Sequence, residues 1–305
     1  MSIPTITFEA GEAVLDWLAL TDALAAGHDL PKAEVADSFL YRGKDTLLTR
    51  SAWIDGLGLA IKAATIFPGN PAQGKDTVNG MMSLLSNTDG TLEAMIDFHL
   101  VTKWKTAGDS LLAARRLARP DSRKILIIGA GAVARSLREA YGAAFPDAEF
   151  IIWNRTKARA DALAQAFDAT TATDDLQTAV ETADIVTCAT SGTAPVLKGD
   201  WLRPGQHVDL IGAYRPDMRE TDDTALQRSR IFVDSRDTTI GHIGEIEIPL
   251  ASGAIQRDDI LADYYALQDF RRAPDDITLF KNGGGAHLDL MTARHILAAW
   301  KDAQQ

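Results

Sequence analysis

The chain has 305 residues, 46% hydrophobic and 24% charged. That composition excludes a disordered or collagen-like chain and suggests two domains or one large one. Lys and Arg total 31 against 42 Asp and Glu, a net charge of −11, which argues against nucleic acid or an anionic membrane as partner. An anionic cofactor would need the few basic residues gathered where the anion sits.

In chain order, Ala13 to Ala26 is expected to form an amphipathic helix. Extended segments are predicted at Ser38–Tyr41, Thr46–Leu48, Gly58–Ala64, Met81–Leu85 and Leu92–Asp97, separated by turns such as Pro68-Gly-Asn-Pro71. Thr102 to Leu117 reads as a long helix ending at Arg119-Pro120. From Arg123 the pattern changes. Lys124–Ile128 reads as a buried strand, Arg135–Tyr141 as a helix, Glu149–Trp153 as a second strand and Ala158–Ala166 as another helix. Asp184–Ala189, His207–Ile211 and Ile231–Asp234 read as further strands, and His287–Ala303 as a closing helix. Alternating strands and helices predict an α/β fold, a doubly wound parallel sheet, preceded by a smaller α+β part. Cys188, the single cysteine, excludes an internal disulfide and a cysteine-rich zinc site and fits a reducing compartment. It reads as a buried small residue and not a nucleophile. With no secretion-signal pattern at the N-terminus and no run near ~18 apolar residues, a soluble, cytoplasmic protein is expected.

The first chemical signal is Gly129-Ala130-Gly131-Ala132-Val133-Ala134, between a strand and a helix. Gly129 permits a tight turn, Gly131 lets the backbone approach a pyrophosphate, and Ala134 keeps the helix close to the sheet. The helix start offers N–H groups and partial positive charge to phosphate. A chance small-residue turn is the alternative; the ordered strand, loop, helix and second strand favour dinucleotide binding. At the end of the second strand an acidic residue would hold the ribose hydroxyls of NAD and repel a 2′-phosphate. Here Trp153 is followed by Asn154, Arg155, Thr156, Lys157 and, two residues on, Arg159. NADP(H) is therefore preferred, with NAD(H) still possible; incidental surface charges are the competing reading. Thr190 and Ser191, after the third strand, are expected to face the cofactor.

Lys62 interrupts an apolar strand, Leu59-Ala-Ile-Lys-Ala-Ala. By itself it reads as an edge-strand lysine pointing to solvent; buried, it would need a partner and would acquire a lowered pKa suited to proton transfer. Lys103 and Lys105 read as solvated charges near a helix start, where the macrodipole disfavours them and makes an anion partner for Lys105 worth testing. His207, His242 and His287 are isolated, without metal-ligand spacing, and read as structural or surface residues; no metal is expected.

Several segments together resemble the ornithine cyclodeaminase/μ-crystallin family. Gly58–Asn70 resembles its strand carrying an active-site lysine, and Thr102-Lys-Trp-Lys-Thr-Ala-Gly-Asp-Ser110 its helix-opening arginine motif. Leu126–Arg135, Gly212–Glu220 and Ile277–Lys281 also match family segments, so the resemblance runs from about residue 38 to the tail. It implies a Rossmann NAD(P)-binding domain, placed at 113–286, and a discontinuous substrate-binding and homodimerising α+β domain at 1–112 with 287–305. Members include ornithine cyclodeaminases, alanine dehydrogenases and reductases of cyclic ketimines. By this resemblance Lys62 is the lysine near the substrate, and Lys105 replaces a carboxylate-binding arginine. Tyr214 replaces the aspartate of cyclodeaminases, and Gly283–His287 replaces more usual apolar and acidic residues. An upstream family arginine, expected after Pro31, has no counterpart, and Arg50 is the compensating candidate. Without the aspartate, cyclodeamination lacks the group that handles the side-chain amine, whereas a preformed C=N bond needs only a carboxylate clamp, a proton and a hydride. The expected activity is NAD(P)H-dependent reduction of Δ1-pyrroline-2-carboxylate or Δ1-piperideine-2-carboxylate to L-proline or L-pipecolate. Ornithine cyclodeaminase, alanine dehydrogenase and a non-catalytic NADP-binding crystallin-like protein are the rivals.

Overall fold

The computed structural model describes residues 3–305 and divides into two compact units. The first joins the N-terminal part up to Lys105 with Gly285–Gln305; the second is Thr106–Gly284.

The first unit contains β1 (Thr5–Ile6), β2 (Glu34–Arg42), β3 (Asp45–Ile54), β4 (Gly58–Ile66), β5 (Val78–Leu85) and β6 (Leu92–Asp97). They form one sheet in the order β1-β6-β5-β4-β3-β2, antiparallel except for the β1–β6 pair. Period-two alternation turns Gly58, Ala60, Lys62 and Ala64 of β4 inward. The closing helix of the chain packs across β3 and β4. Small inward residues let it approach. The edge strand β2 is exposed along its whole length, including Phe39, Leu40 and Tyr41.

The expected helix over Ala13–Ala26 is corrected. The chain forms α1 (Phe8–Glu12) and α2 (Trp17–His28), separated at Asp16. The Asp16 carboxylate accepts the Ala19 N–H at 2.8 Å, and this cap starts α2 later than apolar periodicity suggests. The helix expected from Thr102 is α3 (Phe98–Leu117), beginning directly after β6, where Asp97 Oδ1 accepts the Leu100 N–H at 2.9 Å. Lys103 and Lys105 therefore lie inside the helix, not at its start, and the macrodipole argument for Lys105 falls.

The second unit contains β7 (Lys124–Ile128), α4 (Ala132–Ala144), β8 (Glu149–Trp153), α5 (Lys157–Ala164), β9 (Thr170–Thr173), α6 (Leu176–Thr182), β10 (Ile185–Cys188) and β11 (His207–Leu210). These are followed by α7 (Asp223–Gln227), β12 (Arg230–Val233), α8 (Arg236–Thr239), α9 (Gly244–Ser252), β13 (Ile260–Ala262) and β14 (Thr278–Lys281). The sheet is parallel throughout, in the order β13-β12-β14-β11-β10-β7-β8-β9. The α/β doubly wound architecture is as expected, with β9, β13 and β14 added. Strand order reverses at β7 and β10, which opens the crevice where such sheets bind ligands. The core is aliphatic, with Leu126, Ile128, Val186, Leu210 and Leu279 fully buried. It also holds polar groups. His207 Nδ1 lies 2.9 Å from Thr278 Oγ1, and burial, reinforced by Arg272, pushes its imidazole down to about 3. Asp209 accepts hydrogen bonds from Thr187 at 2.8 Å and Tyr141 at 3.0 Å, and burial pushes it up to about 7. The chain returns to the first unit as α10 (Ala286–Asp302).

Candidate functional site

The glycine loop has the backbone its chemistry needs. Gly129 has φ +126°, donates its N–H to Trp153 O at 2.8 Å, and would place a Cβ 2.7 Å from Ala189 O. A side chain there would be strained and would clash. At Gly131 an added Cβ meets nothing within 4 Å; this residue is the N-cap of α4 and makes no side-chain cap. Gly131 and Ala132 are exposed, while Ala130 and Val133 are half-buried. The first turn of α4 therefore starts at an exposed position and has no side-chain cap, while Ala134 is buried on the helix. These residues fit a dinucleotide pyrophosphate.

Beyond β8, the Asn154 side chain donates to Thr156 O at 2.9 Å and shapes the turn into α5. Arg155, Thr156 and Arg159 are exposed, and no acidic side chain occupies the strand end. The loops after β10 and β11 are locked to one another. Buried Glu220 accepts the Thr190 N–H at 2.7 Å, the Thr190 hydroxyl at 3.0 Å and the Gly212 N–H at 2.6 Å. Glu245 accepts the N–H groups of Glu220 and Thr221, and burial pushes its carboxyl up to about 7. A Cβ on Gly212 would sit 1.8 Å from Thr190 O. Sequence reading overlooked both glutamates; Glu220 lies inside the Gly212–Glu220 match, but nothing in that segment signals burial. Ser191 is exposed beside this clip. Burial pushes the Cys188 thiol well up, which removes it as a nucleophile. Tyr214 is 64% exposed with the Arg215 guanidinium 5.6 Å from its ring centre.

In the first unit the cationic candidates come together. β4 is an interior strand of its sheet, so the edge-strand reading of Lys62 is corrected: the residue is 7% exposed and faces α10. Its Nζ donates to Asp289 Oδ1 at 2.8 Å and lies 4.8 Å from the Phe98 ring centre. Burial draws the Lys62 ammonium below its ordinary range; Asp289 opposes this, and Lys105 and Arg50 reinforce it. Arg50 is held by Asp37 through hydrogen bonds of 2.8 to 3.1 Å. Lys105 is buried on α3, and among the described residues nothing hydrogen-bonds or ion-pairs with its ammonium. Against the desolvation that would raise it, the Asp289 carboxyl is held low by Lys62, Lys105 and Arg50.

Two features were not foreseen. His287, expected as structural or surface, is the former, and its place beside a second histidine is new: it is 2% exposed, its ring stands edge-on to His28 at 5.4 Å, and burial pushes it down to about 3. Asp289 was missed altogether. Its only sequence signal is an acid in the first turn of an otherwise apolar helix face, His287-Leu-Asp-Leu-Met291. No group of three or more His, Cys, Asp or Glu suited to a metal occurs among the described residues, and no helix among them is long and apolar enough to cross a membrane.

A doubly wound sheet with a glycine loop at its strand-order reversal defines a Rossmann-type dinucleotide-binding protein. The first unit, with its buried Lys62 and Lys105, narrows that class. The chain belongs to the ornithine cyclodeaminase/mu-crystallin family, whose model matches residues 52–304. It is 50% identical over 291 residues to the Delta(1)-pyrroline-2-carboxylate reductase of Paracoccus denitrificans, covering 92% of each chain. Among solved structures it is similar to an archaeal alanine dehydrogenase dimer with bound NAD, at TM-score 0.90 and 25% identity, covering 100% of this chain and 98% of that one. The fold is also that of Thermococcus litoralis Delta(1)-pyrroline-2-carboxylate reductase in complex with NADH and L-proline, at TM-score 0.89 and 24% identity, covering 99% and 98%.

Proposed function

We propose that the protein reduces small cyclic imino acids, Δ1-pyrroline-2-carboxylate or Δ1-piperideine-2-carboxylate, to L-proline or L-pipecolate, with NADPH preferred over NADH. The observation that carries this reading is the buried Lys105 ammonium, without a hydrogen-bond or ion-pair partner among the described residues, in the same cluster as Lys62 and Arg50. Buried cations in excess of carboxylates suit a substrate carboxylate. The 50% identity to a pyrroline-2-carboxylate reductase supports the same conclusion.

Lys105 and Arg50 hold the carboxylate and orient the ring; Lys62 polarises it and delivers the proton that the imine nitrogen gains. When bound, a reduced nicotinamide supplies the hydride to the imine carbon. The loop Gly129–Val133 would hold its pyrophosphate, Thr190 and Ser191 would face the cofactor from the other side, and Arg155, with Asn154, Thr156 and Arg159, would receive the 2′-phosphate. Tyr214, exposed on its loop, lacks the carboxylate a cyclodeaminase needs. Residues 1–112 with 287–305 act as the substrate and dimerisation part, and 113–286 as the cofactor part. The exposed strand β2, with Phe39, Leu40 and Tyr41 uncovered, supports a homodimer, since an uncovered strand edge invites pairing; a cytoplasmic location is part of the same proposal.

The test is a steady-state assay with NADPH and NADH against both cyclic imines, ornithine, and pyruvate with ammonia. Cofactor oxidation with a cyclic imine is expected. Turnover of ornithine or pyruvate alone would replace this reading with a cyclodeaminase or dehydrogenase. Thermal stabilisation by NADPH with no turnover would make the chain a non-catalytic binding protein.

A further inference from the structure

We propose that Asp289 is a positioning residue of the reaction, which holds Lys62 as an oriented ammonium ion with two of its N–H groups left for the substrate. This rests on the reading of the Lys62 cluster as the substrate site. Asp289 is 1% exposed and reaches Lys62 Nζ at 2.8 Å, across 227 positions of sequence. A lysine at this depth has three N–H donors to satisfy and a charge to neutralise. The Phe98 ring face, 4.8 Å from Nζ, attracts the charge without accepting a conventional hydrogen bond.

The groups packed around the pair make its role specific. Arg50 arrives from β3 already held by Asp37 of β2, Lys105 from α3, His28 from α2 and His287 from α10 itself. β5 faces Lys62 with apolar Met82. Both histidines are buried, and His287 stays neutral because burial disfavours its charged form. Asp289 is thus the carboxylate hydrogen-bonded to Lys62 among the cations Lys105 and Arg50, and it is the charged group that favours the protonated state of Lys62, beside the weaker attraction of the Phe98 ring. Without it, burial and the two neighbouring cations act together to strip the proton from Lys62. The geometry also fixes direction: a hydrogen bond to Oδ1 removes the free rotation of the ammonium, so its other donors project at defined angles. Asp289 touches no reacting atom in this scheme; it acts through Lys62.

The experiment compares wild type with D289N and D289E, measuring kcat/KM for pyrroline-2-carboxylate against pH and the Lys62 Nζ resonance by 15N NMR. NADPH affinity, read separately, checks that the second unit remains folded. In D289N the alkaline limb of kcat/KM and the Lys62 titration are both expected to move down by about one pH unit or more. In D289E the limb is expected to stay near wild type while kcat falls about tenfold, because the charge is kept but displaced. A folded D289N with an unchanged pH profile overturns the inference. If D289N does not fold, D289E carries the test, and wild-type kcat in D289E overturns it. A wild type that reduces no cyclic imine overturns the substrate reading before any variant is made, and is thereby told apart.

Discussion

Arg50 and Lys62 stand directly opposite one another in the antiparallel register of β3 and β4, two cations on the same face of one sheet. Like charges in that arrangement destabilise a sheet. The structure offsets each with its own carboxylate, Asp37 for Arg50 and Asp289 for Lys62, while Lys105 has no hydrogen-bond or ion-pair partner among the described residues. Lys62→Met is expected to lower kcat for imine reduction by about 10²- to 10⁴-fold, the range for a positioned proton donor. Lys105→Met is expected to act mainly on KM, raising it about 10- to 100-fold through loss of a charge-assisted contact. NADPH affinity, followed by fluorescence titration, should not change in either. Full activity in the first variant would reduce Lys62 to a strand residue.

The absence of an acidic residue after β8 leads to a second expectation. Arg155→Glu should weaken NADPH about 10- to 100-fold, since a charge-assisted bond of roughly 1.5–3 kcal/mol is replaced by repulsion. NADH should bind as well or better. Equal losses for both cofactors would refute the assignment of Arg155 to the 2′-phosphate.

The buried imidazole of His207 sets a pH dependence on stability. Its folded value is about 3 against 6.5 in an unfolded chain. The unfolded state therefore binds more protons between those values, so this contribution is complete above pH 6.5 and is lost as pH falls towards 3. Asp209 works in the opposite sense: its folded value of about 7 lies above the unfolded 3.8, so its contribution grows as pH falls from 7 towards 4. The informative quantity is the difference between wild type and His207→Asn. Urea unfolding at pH 7 and pH 5 should show wild type losing about 2 kcal/mol relative to the variant, at roughly 1.4 kcal/mol per pH unit. Parallel behaviour of the two proteins would show that His207 is protonated in the folded state.

What was legible in sequence was local. The Lys124–Ile128 strand, the Gly129-Ala-Gly131 loop and the helix behind it are adjacent, and each residue type answers a demand met within a few positions. Alternation along Gly58–Ala64 predicts a strand, but periodicity of two residues does not say which face is buried. Lys62 could therefore be placed on a strand and still be read as pointing to solvent. The Asp16 cap was legible in principle, and was overridden by apolar residues on either side of it.

Sequence by itself determined the two patterns, an α+β segment followed by alternating strands and helices, and the strand, glycine loop and helix that run from β7 into α4. Tertiary structure alone decided that β14, late in the chain, is inserted between β11 and β12. It also decided that Lys62 meets Asp289 from the far end of the chain. The physical reason is the same in both cases. Strand order and ion pairing depend on which surfaces are buried together, and a carboxylate 227 positions away leaves no periodic trace beside the lysine it neutralises.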